Sequence, residues 1–583
     1  MISKNLIFLL PILVLLLNQV YVNAVAQDYV PRNIDIERSP KNILVGSYVG
    51  GRSHLKPMLD VATILIERGH NVILLTTGNY EPSSEYPGLK QITLGPKYLT
   101  AKNRDIQEDV DYRSLARVME LTTAAYNVNY EKFKNAAKEN NIDLFICDAF
   151  VNQPCIDVAN NLNKPVVGFT SFMQLMEPKP YKSDPVFGCN ISLENEPFFE
   201  RFRCALVQPL QIAYAYRPFT RQLNDIRDQM NIKSVSGKVS LALIDTFFGF
   251  ELPQSLAPNV QVINDPYVKS VRWIMIRGLF LRIIKLTVDT STADDERIEI
   301  GPVLSEEYPP LTPELSDFID GHKRVLYVAF GTRFCATIEN NNQILQSLVE
   351  VINNKIVDGV VWALSETSKD DFSPSLNFTD GTQVQTLSIL NNIHPHIHVT
   401  KFAPQFAVLN HTNTKLFFSH GGAGSAHESL YTGTPMLILP FGGDQMGNAQ
   451  RLESAGIALS VDKNALDVND DILNKIDFLL KDEHIKKNSK RMKYLARINS
   501  NRKYRAADLI EYMLYSSGLD EYLDDGFLKE WIPAESRMGF IKANNLDVYG
   551  VLSIIILALI GIAFKLIKYT LNPLSDRKKS KQA

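Results

Sequence analysis

Residues 401–462, KFAPQFAVLNHTNTKLFFSHGGAGSAHESLYTGTPMLILPFGGDQMGNAQRLESAGIALSVD, decide how the chain is read. Residues 415–419 form a short, mostly apolar run of strand type that stops at His420-Gly421-Gly422-Ala423-Gly424-Ser425. Residues 426–432 then read as a helix closed by Gly433 and Pro435. Strand, glycine turn and helix in that order aim backbone N–H groups and the positive end of a helix dipole at one spot, which suits a diphosphate. A second strand, 436–440, leads into Gly442-Gly443-Asp444-Gln445. It sets a carboxylate and an amide at a strand's carboxyl end, where open α/β sheets bind ligands and where such a pair can clamp vicinal sugar hydroxyls. A plainer reading makes Ser425-x-x-Glu428 a capping box, with the glycines there for tight packing.

The order F-x-P-Q, H-G-G-x-G-S-x-x-E, P, then D-Q-x-x-N resembles the donor-binding signature of the UDP-glycosyltransferases, the group that includes the glucuronosyltransferases. The resemblance implies an α/β chain of GT-B type, two Rossmann-like domains facing a cleft. It places Phe402 on the uracil, Gln405 on the nucleoside, His420, Gly422, Gly424 and Ser425 at the diphosphate, Glu428 on the ribose hydroxyls, and Asp444 and Gln445 on the hexose. Thr332, in the turn after a strand at 325–330, becomes a further donor contact. Two positions depart from the family pattern: many members carry Trp where Phe402 stands, and some carry Asn where Gly424 stands. A phenyl ring still offers a stacking face. Without the Asn amide, backbone N–H groups and Ser425 hold the phosphates.

The 583 residues exceed one core and imply two or more domains. A net charge of −3 excludes a nucleic-acid binder. At the N-terminus, Lys4, an apolar run at 6–17 and Ala24-Val25-Ala26 make a secretory signal cleaved after Ala26. Residues 548–564 are apolar and uncharged, about long enough for a thin bilayer, and Lys565, Lys568, Arg577, Lys578, Lys579 and Lys581 follow. Positive charge after the span puts that end in the cytosol, so the expectation is a type I membrane protein with a lumenal body. The last five residues resemble a dilysine signal for return to the endoplasmic reticulum. Sequons at Asn190, Asn377 and Asn410 fit that placement, with Asn410, inside the donor signature, used least. Of the five cysteines, Cys189 and Cys204 can pair in an oxidising lumen, while Cys147 and Cys335 read as inert core thiols.

The first half opens as β-α-β: a strand at 42–46, a glycine-bearing loop at 47–52, a helix at 55–68 with apolar residues at Leu55, Met58, Leu59, Ala62 and Ile66, and a strand at 72–76. G-x-G-x-x-G is absent, which argues against a nicotinamide site. His54 opens the helix, where the dipole keeps imidazole neutral and able to accept a proton. By position alone a capping or surface histidine is the commoner outcome, but the segment resembles the family's acceptor-domain opening, whose histidine is the general base. Asp148 ends a strand at 142–147 and matches the family's partner aspartate; the alternatives are a helix N-cap for Asp148 and Asp143 as the acid.

Asp109-x-Asp111 lies in a polar stretch and reads as a solvated loop. His394-x-His396-x-His398 would put three imidazoles on one strand face, a zinc-like spacing, but reads as a strand edge near the donor cleft, and no metal or cofactor is expected. Residues 264–300 interrupt the family's strand-to-Gly-Pro connection with basic residues of no fixed period, as a membrane-touching excursion or, in our reading, a stretch that the mature message lacks.

The resulting division is 1–26 signal peptide, 27–263 acceptor domain, 264–300 atypical insertion, 301–500 UDP-sugar domain, 501–547 helices packing back and a membrane-proximal segment, 548–567 transmembrane helix and 568–583 cytosolic tail. The expected activity is inverting transfer of glucose or glucuronic acid from a UDP-sugar to a small lipophilic hydroxyl acceptor. The alternative is a non-catalytic lumenal nucleotide-sugar or glycan binder of the same fold. Self-association is left open.

Overall fold

Apolar and aromatic runs without polar alternation, such as ILV at the centre of NILVGS and all of VLYVA, become strands buried on both faces, the pattern of parallel sheets covered by helices. The computed structural model describes residues 39–48, 51–78, 86, 88–96, 119–150, 152–170, 197–232, 239–247, 262–263, 297–331, 337–364, 369–378, 382–442, 444–462, 468–516 and 546–579.

The first sheet contains β1 (Asn42–Ser47), β2 (Asn71–Thr77), β3 (Lys90–Gly95), β4 (Leu144–Asp148), β5 (Val166–Thr170), β6 (Leu241–Ile244), β7 (Val262–Ile263) and β8 (Arg297–Glu299). Its order is β3-β2-β1-β4-β5-β6-β8-β7, parallel except for the β7–β8 pair. The second contains β9 (Val325–Ala329), β10 (Gly359–Ala363), β13 (Ile397–Thr400), β14 (Thr414–Ser419), β15 (Met436–Ile438) and β16 (Ala458–Ser460). It is parallel throughout, in the order β13-β10-β9-β14-β15-β16, while β11 (Ser375–Asn377) and β12 (Gln383–Gln385) pair apart as a hairpin. In each sheet the strand order reverses at one seam, β1 against β4 and β9 against β14. A crevice opens at the carboxyl ends of the strands at such a seam.

The helices that position the site are α1 (Arg52–Glu67), α2 (Gln153–Asn161), α3 (Gln405–Asn410), α4 (Ala423–Thr432), α5 (Gln445–Ser454), α6 (Arg502–Ser516) and α7 (Leu546–Lys579). Leu55, Met58, Leu59, Ala62 and Leu65 of α1 share one core with Ala506, Ala507, Ile510 and Met513 of α6. The chain therefore returns from the second sheet to the first. Arg68 fastens the return with ion pairs of 2.6 Å to Glu511 and 2.8 Å to Asp508.

Several expectations need correcting. Cys147 is no free thiol: it is bonded to Cys155, which lies at the start of α2, and the bridge closes the turn that follows β4. Cys204 is also disulfide-bonded; its expected partner Cys189 and the fifth cysteine, Cys335, lie outside the described residues. β13 begins only at Ile397, so His394 and His396 occupy the preceding turn rather than one strand face with His398. There the Nε2 of His322 meets the Nδ1 of His396 at 3.1 Å, and among the described residues no group of three ligating side chains gathers. β8 falls inside 264–300, so the end of that segment is a strand of the first sheet. The signal region at 1–26, Asp109, Asp111, Asn190, Thr332 and residues 264–296 lie outside the described residues, as does the Asn377 side chain, whereas Asn410 is exposed at the end of α3. No described helix is long and apolar enough to cross a membrane. The uncharged part of α7, 548–564, rises only about 26 Å against an ordinary hydrocarbon core of about 30 Å.

Candidate active site

On the first sheet, extended Gly51 lets the chain turn from β1 into α1, and the N–H groups of His54 and Leu55 bond to its carbonyl at 3.0 and 2.9 Å. His54 therefore stands in the first turn of α1, beside the end of β4. Its Nδ1 lies 3.1 Å from Oδ2 of Asp148, whose side chain is wholly buried, while the imidazole keeps 14% of its surface exposed. The same carboxylate accepts from the Ser47 hydroxyl at 2.8 Å and from the Phe150 backbone N–H at 3.0 Å. The Phe150 ring, with its centroid 5.6 Å from that of His54, forms one wall. Since a carboxylate only accepts, the Nδ1 of His54 carries the hydrogen and Nε2 is the nitrogen that can take a proton.

On the second sheet, Gly421 adopts φ of +79° two residues past the end of β14, and a Cβ there would stand 2.7 Å from Ile438. The left-handed turn and the close approach both demand glycine. α4 starts at Ala423, three residues earlier than the sequence pattern indicates, with Gly422 as its extended N-cap. Ser425 is consequently inside the helix and caps nothing. The capping box dissolves: Gln405 Nε2 donates to Glu428 Oε2 at 2.9 Å and to Ser425 Oγ at 3.3 Å, tying the start of α3 to α4. Phe402 is two-thirds exposed and able to offer its ring face. His420 packs so tightly that a Cβ on Gly331 or Gly422 would lie 2.9 or 2.6 Å from its ring. Burial pushes this imidazole down to about 4, so it is neutral at neutral pH. Gly424 is exposed at the open end of the helix, and a Cβ there would meet nothing within 4 Å.

Asp444 occupies the N-cap position of α5, though its side chain makes no cap bond to the helix. Asn448, one turn on and wholly buried, donates to Asp444 Oδ2 at 2.8 Å and to the Gly421 carbonyl at 3.0 Å, which joins the glycine turn to the Asp444 carboxylate. Burial raises the Asp444 carboxyl above its usual range; the Asn448 bond and then the charge of His54 act the other way. His54 is thus within electrostatic reach of Asp444, and the lobes touch directly nearby, where His427 Nδ1 of α4 lies 3.5 Å from Oδ2 of Asp245, just past β6. Gln445 commits Oε1 to the Phe441 and Gly442 N–H groups at 2.8 and 3.2 Å. The connection between the lobes lies alongside: Tyr308 stacks on Phe406 of α3 at 3.8 Å between centroids, and Ser305 bonds Asp60 of α1 at 2.8 Å. Sequence reading misses Ser47 and Phe150, and it gives no role of their own to Gly331, in the turn read as phosphate-side, or to Asn448, the last residue of D-Q-x-x-N. The signal for Asn448 is that D-Q-x-x-N spaces it one helical turn from Asp444.

Residues 297–581 match the family described as UDP-glucoronosyl and UDP-glucosyl transferase. A UDP-glycosyltransferase of Talaromyces amestolkiae is 26% identical over 552 residues, covering 88% of this chain and 95% of the relative. The human UDP-glucuronosyltransferase 2B7 is 21% identical over 560 residues, covering 88% and 90%. A crystal structure of the glycotransferase of kitacinnamycin superposes with a TM-score of 0.53 at 19% identity, covering 82% of this chain and all of that one. With its paired parallel sheets, this likeness identifies the GT-B fold.

Proposed function

Because the chain belongs to the UDP-glycosyltransferase family and is a glycosyltransferase, we propose that it moves a hexose, glucose or glucuronic acid, from its UDP-sugar to a hydroxyl of a small lipophilic acceptor, with inversion and in one displacement. The observation that carries this reading is the 3.1 Å pairing of His54 with buried Asp148, in the lobe that α4 touches through His427 and Asp245. His54 Nε2 takes the acceptor proton while the oxygen attacks the anomeric carbon and the bond to UDP breaks. The leaving diphosphate gains charge where the α4 N–H groups point. Phe402 and Gln405 face the nucleoside, Glu428 the ribose, Asp444 and Gln445 the hexose. His420 is a neutral neighbour of the diphosphate, and no step runs through a metal.

The same reading includes the compartment. Val551, Ile554, Leu557, Leu559, Ile560 and Phe564 of α7 are exposed apolar side chains, and the basic cluster follows them. Both support a single anchor in a thin membrane such as that of the endoplasmic reticulum, with the catalytic lobes lumenal. The test is an assay of the detergent-solubilised full chain with UDP-glucose and UDP-glucuronic acid against a panel of lipophilic alcohols and phenols. Transfer with inversion is expected from one donor. A product of retained anomeric configuration, or UDP-sugar binding with no transfer to any acceptor, overturns the proposal.

A further inference from the structure

We infer that Ser47 is a positioning residue for the transfer, holding Asp148 in the one orientation that aims His54 at the acceptor; the inference rests on the reading of His54 and Asp148 above. Ser47 is the last residue of β1 and Asp148 the last of β4, neighbours across the seam where Gly46 pairs with Cys147. Their hydrogen bond is therefore set by sheet register rather than by a loop. Both side chains are fully buried, and a hydroxyl inside an otherwise apolar strand is costly unless it is bonded. Here it donates to Oδ2, the oxygen that also receives His54 Nδ1, while Phe150 N–H holds Oδ1. Without Ser47 the carboxylate keeps one fixed oxygen and can turn about its side-chain axis, taking His54 with it. Asn152, buried at the start of α2, donates to the Gly46 carbonyl at 3.0 Å and fixes the backbone on either side of the pair.

The experiment compares Ser47→Thr with Ser47→Val in the full chain, since both fit a strand with similar shape and only the first keeps the hydroxyl. Loss of a hydrogen bond to a charged group predicts kcat about ten-fold lower in the Val variant than in the Thr variant, with KM for the UDP-sugar unchanged. The Thr variant should stay within about three-fold of the parent. In an Asp148→Ala background the same exchange should alter kcat by less than about two-fold, because Ser47 acts through that carboxylate. Equal kcat for Thr and Val, or the same ten-fold gap without Asp148, overturns the inference. His54→Ala separates the two claims: if it retains full turnover the catalytic reading fails, whereas an inactive His54→Ala beside equal Thr and Val variants removes Ser47 alone.

Discussion

The six strands of the second sheet repeat the order of the first six of the first sheet, and each seam ends beside a histidine, yet the histidines are handled in opposite ways. At the β1–β4 seam the neighbouring strand ends in Asp148, and His54 is paired, partly exposed and turned so that Nε2 is its basic nitrogen. At the β9–β14 seam Gly331 stands just past the neighbouring strand, and the His420 ring sits over it, buried and kept neutral by loss of hydration. Topology supplies the crevice in both lobes. The residue type at the end of the adjacent strand, a carboxylate or a glycine, decides whether its histidine can move a proton or can only shape a pocket.

Removing the paired histidine should have the largest effect. His54→Ala is expected to lower kcat by roughly 10² to 10⁴, the usual contribution of a general base, with UDP binding by calorimetry unchanged. His420→Ala should do the reverse, weakening UDP binding while leaving single-turnover chemistry at saturating donor closer to the parent. If both variants lose turnover and both keep UDP, the contrast between the seams is wrong.

The glycine under His420 is the next test. Gly331 has φ of +77°, and a Cβ would press 2.9 Å from the ring, so Gly331→Ala should weaken UDP binding about ten-fold or more through strain of roughly 1–3 kcal/mol. The same burial sets a pH dependence. His420 titrates near 4 when folded and near 6.5 when unfolded, so the unfolded chain binds more protons between those values. Stability is thus full above about pH 6.5 and falls as pH drops towards 4, by a maximum of about 3 kcal/mol. Urea midpoints of the parent and a His420→Asn variant, measured across that window, should differ in slope. Parallel curves would show that His420 is not the group responsible.

Legibility in the sequence divides along the same line. The proposed donor half-site lies, Thr332 apart, within residues 402–448, and its turns, strand ends and glycines recur at spacings short enough to read in line. Even there the sequence pattern starts α4 three residues late, because Ala423 and Gly424 carry no helix-starting side chain and Gly422 caps through backbone alone. The acceptor half-site joins Ser47, His54 and Asp148 across about a hundred positions, and no local pattern links a serine at one strand end to an aspartate at another. His54 and Asp148 are reachable through family resemblance, whereas Ser47 requires the register of β1 on β4. The Cys147–Cys155 bridge is hidden for a similar reason, since a strand cysteine and a helix cysteine eight residues apart look like two core thiols until the turn between them is known.

The smallest expected effect concerns the open end of α4. Gly424 is in the first turn of the helix, exposed, and a side chain would enter empty space rather than a neighbour. Gly424→Asn should fold at least as well as the parent, since glycine inside a helix costs up to about 1 kcal/mol relative to better formers. Its amide would add one neutral donor where the diphosphate charge develops, lowering KM for the UDP-sugar by about three- to ten-fold, the worth of one hydrogen bond. The kcat should change little, because His54 and Asp148 across the cleft are untouched. A Gly424→Asn variant with lower kcat and unchanged KM would mean that this helix end faces the reacting centre rather than the diphosphate, and the division of labour between the two seams would have to be redrawn.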